Sequence, residues 1–159
     1  MTSARSDNKA VRWHCSDFES LGVAGLYRLL RERVAVFVVE QTCPYQELDD
    51  LDAIALHLWA EDSQGQVLAI ARLLPPGASY SEPSIGRVLT TAAGRGLGLG
   101  RALMEQALAN CEQRYPGQGI RISAQQYLET FYRDLGFETI RGPYLEDDIP
   151  HLEMLRPPT

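Results

Sequence analysis

A run of alternating glycines lies between a predicted strand and a predicted helix. It reads Gly94-Arg95-Gly96-Leu97-Gly98-Leu99-Gly100-Arg101. Because glycine has no Cβ, it adopts positive φ readily and lets a ligand come close to the main chain. The helix behind the glycines presents unpaired N–H groups and the positive end of its dipole. Such a loop is typical of a pyrophosphate cradle, to which Arg95 and Arg101 can add charge-assisted hydrogen bonds.

Two common phosphate-binding motifs do not fit this loop. A P-loop needs a Gly-Lys pair, which the sequence lacks. The dinucleotide pattern G-x-G-x-x-G fails because Leu99 or Arg101 stands where its third glycine is required. The pattern [QR]-x-x-G-x-[GA] does fit, from Arg95 to Gly100. The alternative interpretation is a glycine-rich turn that binds no ligand.

That pattern resembles the acyl-CoA loop of the GNAT acetyltransferase superfamily, which follows the fourth strand of the fold. Residues 125–137, QQYLETFYRDLGF, are similar to a second GNAT motif, N-x-x-A-x-x-[FL]-Y-x-x-x-G-F. Gln125 replaces the usual Asn and Leu128 the usual Ala. Residues 36–47 and 144–151 are similar to the ElaA branch of the superfamily. The resemblance extends from Leu26 to Met154.

The resemblance implies a role for Tyr132 and for a set of cofactor-binding residues. When an amine attacks a thioester, the leaving CoA thiolate needs a proton, and a phenol with a pKa of about 10 can supply it. Tyr132 takes that role by resemblance; otherwise it packs as an aromatic residue beside Phe131 and Phe137. The acyl-CoA is expected to contact the main chain or side chains of Val88, Leu89, Thr90, Arg95, Gly96, Leu97, Gly98, Leu99, Gly100, Arg101, Gln125 and Phe131.

An acceptor amine must lose a proton before it attacks, so a general base is expected. Glu40 is the first candidate because it lies where a predicted helix gives way to an acidic loop. His151 is the second, followed by His57 and Asp148. For Glu40 a buried structural carboxylate is the competing interpretation, and for His57 a hydrogen-bonded structural histidine is favoured. Cys43 has no evident base beside it, and direct transfer needs no cysteine nucleophile.

Acidic residues are concentrated in the segments that form the acceptor side of GNAT folds. An acidic mouth would attract an acceptor that carries an ammonium group. Solvated loops are often charged for no such reason, so the acids alone do not define the acceptor. They are Glu40, Glu47, Asp49, Asp50, Asp52, Glu146, Asp147 and Asp148.

Composition excludes several other classes of protein. A net charge of −6 argues against nucleic-acid binding. No stretch approaches the roughly 20 apolar residues that span a bilayer, so no membrane association is expected. Residues 1–9 are polar and lack a signal-peptide core, which predicts a cytoplasmic protein. The three cysteines and three histidines are scattered, so neither a disulfide framework nor a bound metal is predicted.

The hydrophobic pattern predicts one mixed α/β domain, an α+β mixed sheet of the GNAT type, over residues 1–159, with 1–9 as a flexible N-terminus. A helix capped by Ser16 or Asp17 is expected to end near Val39. The element order is β-α-β-β-β-α-β-α-β-β. The strands are expected at 11–15, 54–61, 66–74, 84–91, 119–124, 137–141 and 152–155, the later helices over 101–115 and 127–135, and a loop at 142–150.

The sequence thus favours an N-acyltransferase that moves an acetyl group from acetyl-CoA to a small amine or peptide acceptor by direct transfer. A non-catalytic acyl-CoA-binding sensor is the main alternative, and an enzyme that acylates an oxygen acceptor or a protein lysine is a third. The resemblance leaves a homodimer paired through strands near the C-terminus open.

Overall fold

The structure, a computed structural model, describes residues 10–159, so the predictions for residues 1–9 lie outside it. In the described part, seven strands and three α-helices follow the predicted order. They are β1 Arg12–Asp17, α1 Phe18–Arg33, β2 Leu56–Glu61, β3 Val67–Leu74, β4 Ser84–Thr90, α2 Leu99–Arg114, β5 Ile120–Gln125, α3 Glu129–Asp134, β6 Glu138–Glu146 and β7 Ile149–Arg156. A π-helical segment Val34–Glu40 and two 3₁₀ turns, Leu51–Ile54 and Gln126–Leu128, complete the set.

The strands form two antiparallel sheets, in the orders β1-β2-β3-β4 and β5-β7-β6. Every residue of β3 is buried, because helices cover both faces of this strand. On one face Val67 and Ile70 pack with Leu29 of α1. On the other, Leu68 packs with the apolar side of α2. The apolar side of α2 is buried through Leu103, Met104, Ala107, Leu108 and Cys111.

The two sheets meet at β4 and β5 but are not joined by a ladder within the described residues. One backbone hydrogen bond, from the Arg121 N–H to the Pro83 carbonyl over 3.0 Å, connects the beginnings of these strands. A cleft opens between them farther along, lined by Val88 on one side and by Ala124 and Gln125 on the other. The separation therefore leaves one edge of β4 unpaired over its second half.

A β-bulge interrupts β4 where it borders the cleft. Ile70 pairs with Leu89 and Arg72 with Gly86, so Arg87 and Val88 together face the single residue between Ile70 and Arg72. Arg87 has a φ of 50°, in the left-handed region that side-chain-bearing residues rarely adopt. An extra residue in one strand bends it and turns its side chains, so the bulge directs this part of β4 into the cleft.

The first helix agrees with the prediction at its start and differs at its end. The Asp17 side chain accepts a hydrogen bond from the Ser20 N–H over 2.8 Å, as expected of an N-cap. Gly22, with φ 69° and ψ 169°, breaks the helix one turn later. Regular α-helix ends at Arg33, and the chain continues as a π-helix to Glu40. Hydrophobic spacing does not distinguish the wider turn from the α-helix that precedes it.

The predicted loop at 142–150 is wrong, because most of these residues belong to strands. Strands β6 and β7 extend to Glu146 and from Ile149, leaving only Asp147 and Asp148 as the turn. Both turn residues have positive φ, 49° and 62°, which suits a tight two-residue hairpin. A register shift between Arg141 and Tyr144 absorbs the Gly142-Pro143 pair, whose composition had suggested a loop.

Candidate active site

A cleft of about 360 Å³ lies between the diverging β4 and β5. Its floor and one wall come from β4 and β5, and α3 and the β6–β7 hairpin contribute side chains to it. The segment that follows α1 forms the opposite wall with Phe37, Gln41, Cys43 and Tyr45. Among the predicted site residues, this cleft brings together Val88, Gln125, Tyr132 and His151.

Tyr132 is 7% exposed and lines the cleft. Its ring packs edge-to-face on Phe131 and Phe137, with centroids 5.1 and 5.9 Å apart. Burial, with a smaller contribution from Tyr127, raises the pKa of Tyr132 to about 12. The phenol therefore keeps its proton at neutral pH and can act as a hydrogen-bond donor or an acid. The packing and chemical interpretations of this tyrosine are both compatible with its position.

His151 is 8% exposed and faces the cleft from β7. Its Nδ1 lies 2.7 Å from the Ile149 carbonyl oxygen, which can only accept a hydrogen bond, so Nδ1 carries the hydrogen. Nε2 is then the basic nitrogen of the neutral ring, and it lies 3.2 Å from Oε2 of Glu146. The carboxylate can stabilise a proton that Nε2 accepts. Ser123 donates to the same oxygen over 3.1 Å.

The other base candidates lie elsewhere. Glu40 is outside the cleft lining, with its side chain 43% exposed and ion-paired to Arg95 of the glycine-rich loop. His57 is buried, contacts the Asp52 carbonyl oxygen through Nε2 over 2.9 Å, and has its pKa lowered by burial. That is the structural histidine favoured by the sequence. Asp148 occupies the second position of the β6–β7 turn and does not line the cleft.

The glycine-rich loop meets the steric demands of a phosphate cradle. Gly96 and Gly98 have φ of 80° and 69°, and a Cβ added at either position would meet open space. Helix α2 begins at Leu99, directly after Gly98, so the first-turn N–H groups up to Arg101 have no intrahelical partners. Gly94 has a different role, since a Cβ there would lie 2.0 Å from the Leu68 carbonyl oxygen.

The two arginines and two leucines of this loop differ in orientation. Arg101 lies on the exposed side of α2, with Nε 3.0 Å from Oε1 of Glu105. Arg95 is held by Glu40. Leu97 is half exposed, whereas Leu99 is buried in the core under α2.

The main chain of β4 presents hydrogen-bond donors to the cleft side. The Thr91 N–H donates to the Leu68 carbonyl over 2.9 Å, towards β3. N–H groups alternate in direction along a strand, so that of Thr90 faces away from β3 and that of Leu89 faces towards it. Leu89, whose side chain is also buried, therefore offers no donor to the cleft, which differs from its expected contact with acyl-CoA. The N–H of Val88, two residues before Thr90, also faces the unpaired edge of β4.

Gln125 and Phe131 flank the cleft differently. Gln125 ends β5 directly opposite His151 in the ladder and lines the cleft. Phe131 packs against the core and the Tyr132 ring and is absent from the cleft lining. Its place supports the tyrosine rather than a ligand.

Three acids of the expected acidic mouth are neutralised internally by Arg33, Arg72 and Arg87. Arg33 donates to Glu47 over 2.8 Å and to Asp52 over 2.6 Å. Arg72 donates to both oxygens of Asp49, over 2.7 and 2.9 Å. These acids do not give the mouth net negative charge, so the expectation of an acidic rim is corrected for Glu47, Asp49 and Asp52. Glu146 and Asp147 remain as acids that line the cleft.

The pKa values of this network follow from the competition between burial and hydrogen bonding. Burial raises the pKa of Asp52, but the hydrogen bonds and positive charges of Arg33 and Arg72 outweigh it and leave the pKa lowered. The pKa of Asp49 is lowered in the same way by Arg72 and Arg87. One sequence signal could have revealed the network: Arg72 is the lone charge in the apolar stretch VLAIARLL, and a buried charge requires partners.

Two features are absent from residues 10–159. No group of three or more His, Cys, Asp or Glu side chains in this part of the chain is arranged to hold a metal ion. Among the same residues, no helix combines the length and the apolar character needed to cross a membrane.

Known proteins are similar to this chain in fold and in sequence. Residues 22–156 match the family described as acetyltransferase (GNAT) domain. Protein ElaA of Escherichia coli is 38% identical over 150 residues, covering 92% of this chain and 96% of ElaA. The crystal structure of ElaA superposes with a TM-score of 0.86 at 36% identity, over 92% of this chain and 99% of that one.

An acyl-CoA N-acyltransferase from Pseudomonas aeruginosa is similar as well. Its crystal structure superposes with a TM-score of 0.88 at 44% identity, covering 92% of this chain and 99% of that chain. The family match spans most of the sequence, and both solved relatives superpose over 92% of the chain. The chain therefore belongs to the GNAT acyltransferase family, in the group that includes ElaA.

Proposed function

We propose that this protein is an N-acyltransferase that transfers an acetyl group from acetyl-CoA directly to an amine. Acetyl is the proposed cargo because the matching family is described as an acetyltransferase domain. The observation that carries the proposal is the convergence of three groups on one cleft: the free edge of β4 at Val88, the imidazole of His151 and the phenol of Tyr132. They correspond to the three requirements of thioester aminolysis: a donor for the developing oxyanion, a base for the amine and an acid for the leaving thiolate.

The glycine-rich loop is proposed to bind the pyrophosphate of CoA. The open space at Gly96 and Gly98 and the free N–H groups in the first turn of α2 support this role. Anions bind well at such sites because the donors and the helix dipole act together. Arg95 is proposed to exchange Glu40 for phosphate, since its side chain is accessible and its present partner lies at the surface.

The unpaired edge of β4 is proposed to hold the thioester carbonyl. As an amine attacks this carbonyl, negative charge develops on its oxygen. A fixed N–H donor such as that of Thr90 stabilises this charge, and each such donor contributes about 3 kcal/mol in comparable sites. Because β5 diverges here, no strand competes for the donor among the described residues.

His151 is proposed as the general base. Its hydrogen bond to the Ile149 carbonyl keeps Nε2 free of hydrogen in the neutral ring, and Nε2 accepts the proton of the ammonium acceptor. Glu146, 3.2 Å away, then stabilises the imidazolium. Glu40, the first candidate for the base from the sequence, is not proposed because it is paired with Arg95 outside the cleft lining.

Tyr132 is proposed to protonate the departing thiolate. Its raised pKa ensures that the proton is present over the whole neutral range.

The two acids left on the rim, Glu146 and Asp147, favour an acceptor with an ammonium group over an anionic one.

Calorimetric titration with acetyl-CoA, followed by a thiol-release assay with putrescine, glucosamine and a lysine-bearing peptide, tests the proposal. We expect binding, and thiol release with at least one of these amines. Binding without release from any amine would favour a non-catalytic acyl-CoA sensor. A lack of acetyl-CoA binding would refute the proposed function altogether.

A further inference from the structure

We propose that Arg87 is a positioning residue that sets the distance between the acyl donor and the wall that receives the acceptor. This inference rests on the proposed function. It assigns the residue no contact with the reacting atoms. Its backbone belongs to the β4 bulge, and its side chain binds the loop that forms the opposite wall of the cleft.

The backbone of Arg87 forms the bend that exposes β4 to the cleft. Arg87 and Val88 form the bulge, and Arg87 adopts a φ of 50°. A residue with a side chain persists in this region only when surrounding contacts determine its conformation. Those contacts come from the side chain of the same residue.

The guanidinium of Arg87 binds three residues of the acceptor-side loop. Nε donates to Oε1 of Glu47 over 2.9 Å, and Nη2 lies 3.4 Å from the Glu47 carbonyl oxygen and 3.3 Å from Oδ2 of Asp49. The guanidinium carbon also stands 5.7 Å from the centroid of the Tyr45 ring. One side chain thereby fixes a loop whose residues Cys43 and Tyr45 line the cleft.

The two acids that bind Arg87 are themselves held from behind. Arg33 donates to the same Oε1 of Glu47 over 2.8 Å, and Arg72 chelates Asp49. Both of these arginines are almost completely buried. Arg87 is only partly buried and is the arginine of the three that belongs to the bulge. Arg33 and Arg72 thus anchor the loop to the core, and Arg87 aligns it with β4.

This arrangement predicts that loss of the Arg87 side chain impairs use of the acceptor without weakening acetyl-CoA binding. The glycine-rich loop lies beyond the end of β4 and has no described contact with Arg87. Loss of the Arg87 contacts frees the wall to move, so the acceptor meets a correctly placed wall only part of the time and its KM rises. A general loss of folding would instead lower both properties together.

The test compares Arg87→Lys and Arg87→Gly with the parent protein, using acetyl-CoA and the best acceptor among putrescine, glucosamine and the lysine-bearing peptide. Lysine keeps the charge and loses the planar fork, whereas glycine accommodates the positive φ and removes the side chain. We expect both variants to bind acetyl-CoA as the parent does. Their kcat/KM for the acceptor should fall roughly tenfold to a hundredfold, chiefly through a higher KM.

Arg28→Lys is the matched control. Arg28 also binds a carboxylate, Glu61 over 3.1 Å, but lies outside the cleft lining, so its kinetics should equal those of the parent. Folded Arg87 variants with an unchanged acceptor KM would overturn the inference while leaving the proposed function intact, as would parallel losses of acetyl-CoA and acceptor binding. A parent protein that releases no thiol with any amine would refute the proposed function itself, and the inference with it.

Discussion

The guanidinium of Arg33 donates to Oδ1 of Asp52 over 2.6 Å, at a depth where the arginine is only 1% exposed. The same side chain also binds Glu47, which is as deeply buried. Such a network contributes less to stability than its distances suggest, because burying the charges offsets their attraction. Removing one member is costly, since its partners then remain buried and charged.

Arg33→Met should therefore lower the free energy of unfolding by about 3–5 kcal/mol, measured by urea denaturation. Arg31→Met is the matched control: it lies two residues earlier on α1 and its pair with Glu32, at 3.5 Å, is at the surface. We expect that change to cost less than about 0.5 kcal/mol. Equal losses from the two variants would contradict the assignment of Arg33 as the centre of a buried network.

Tyr132→Phe should lower kcat roughly a hundredfold or more while acetyl-CoA binds as in the parent. The phenylalanine ring preserves the packing on Phe131 and Phe137, so only the proton donor is lost. Steady-state kinetics and calorimetry separate the two quantities. Turnover equal to that of the parent would remove Tyr132 from the mechanism.

Burial of Tyr132 also has a consequence for stability at high pH. Its pKa of about 12 in the folded state exceeds the value of about 10 expected in the unfolded chain. The stabilisation is therefore fully present below pH 10 and is lost as pH rises from 10 to 12. Over that range the parent should lose about 2 to 3 kcal/mol more than Tyr132→Phe, as measured by denaturation at each pH. Identical pH dependences would show that the phenol is not desolvated.

Gly98→Val should abolish acetyl-CoA binding in calorimetry. A β-branched side chain is strained at a φ of 69° and would occupy the open space above the first turn of α2. Gly117→Val supplies a control with the same backbone strain, since Gly117 has a φ of 74° and equally open surroundings in the turn after α2. The control should lose stability but keep binding. Retained binding by a folded Gly98→Val variant would discredit the cradle.

His151→Gln should reduce kcat/KM by roughly 10²- to 10⁴-fold, as measured by thiol release. Glutamine cannot take up the proton that Nε2 accepts. His14→Gln is the control, because His14 lies 3.1 Å from Glu61 in a similar pair on β1, away from the cleft. A kcat/KM in His151→Gln equal to that of the parent would assign the base to another group.

The order of the elements could be predicted because each has a local signal. The N-cap at Asp17, the apolar side of α2 and the glycines before it are all properties of short segments. The sequence named two residues that line the cleft, Tyr132 through a motif and His151 through its place beside a predicted strand.

Features that depend on distant contacts were not predicted. Arg33, Arg72 and Arg87 lie far apart in the sequence, and only the fold brings them to the same three acids. Glu47 and Asp52 lie in a segment with the composition of a solvated loop, so their burial was hidden. Glu40 was ranked first as a base from its place at a helix end, but the pair with Arg95 depends on how the glycine-rich loop folds back towards the π-helix.

The donor on the free edge of β4 belongs to the main chain, and this limits how genetics can reach it. An alanine scan of the strand would alter the side chain of Thr90 and leave its N–H in place, so the scan would report the position as neutral. Two substitutions act on the donor itself: Thr90→Pro, which deletes the N–H, and an amide-to-ester replacement made by chemical ligation. Libraries of side-chain variants would therefore map the pocket and pass over the main-chain group that is proposed to stabilise the oxyanion of the transition state.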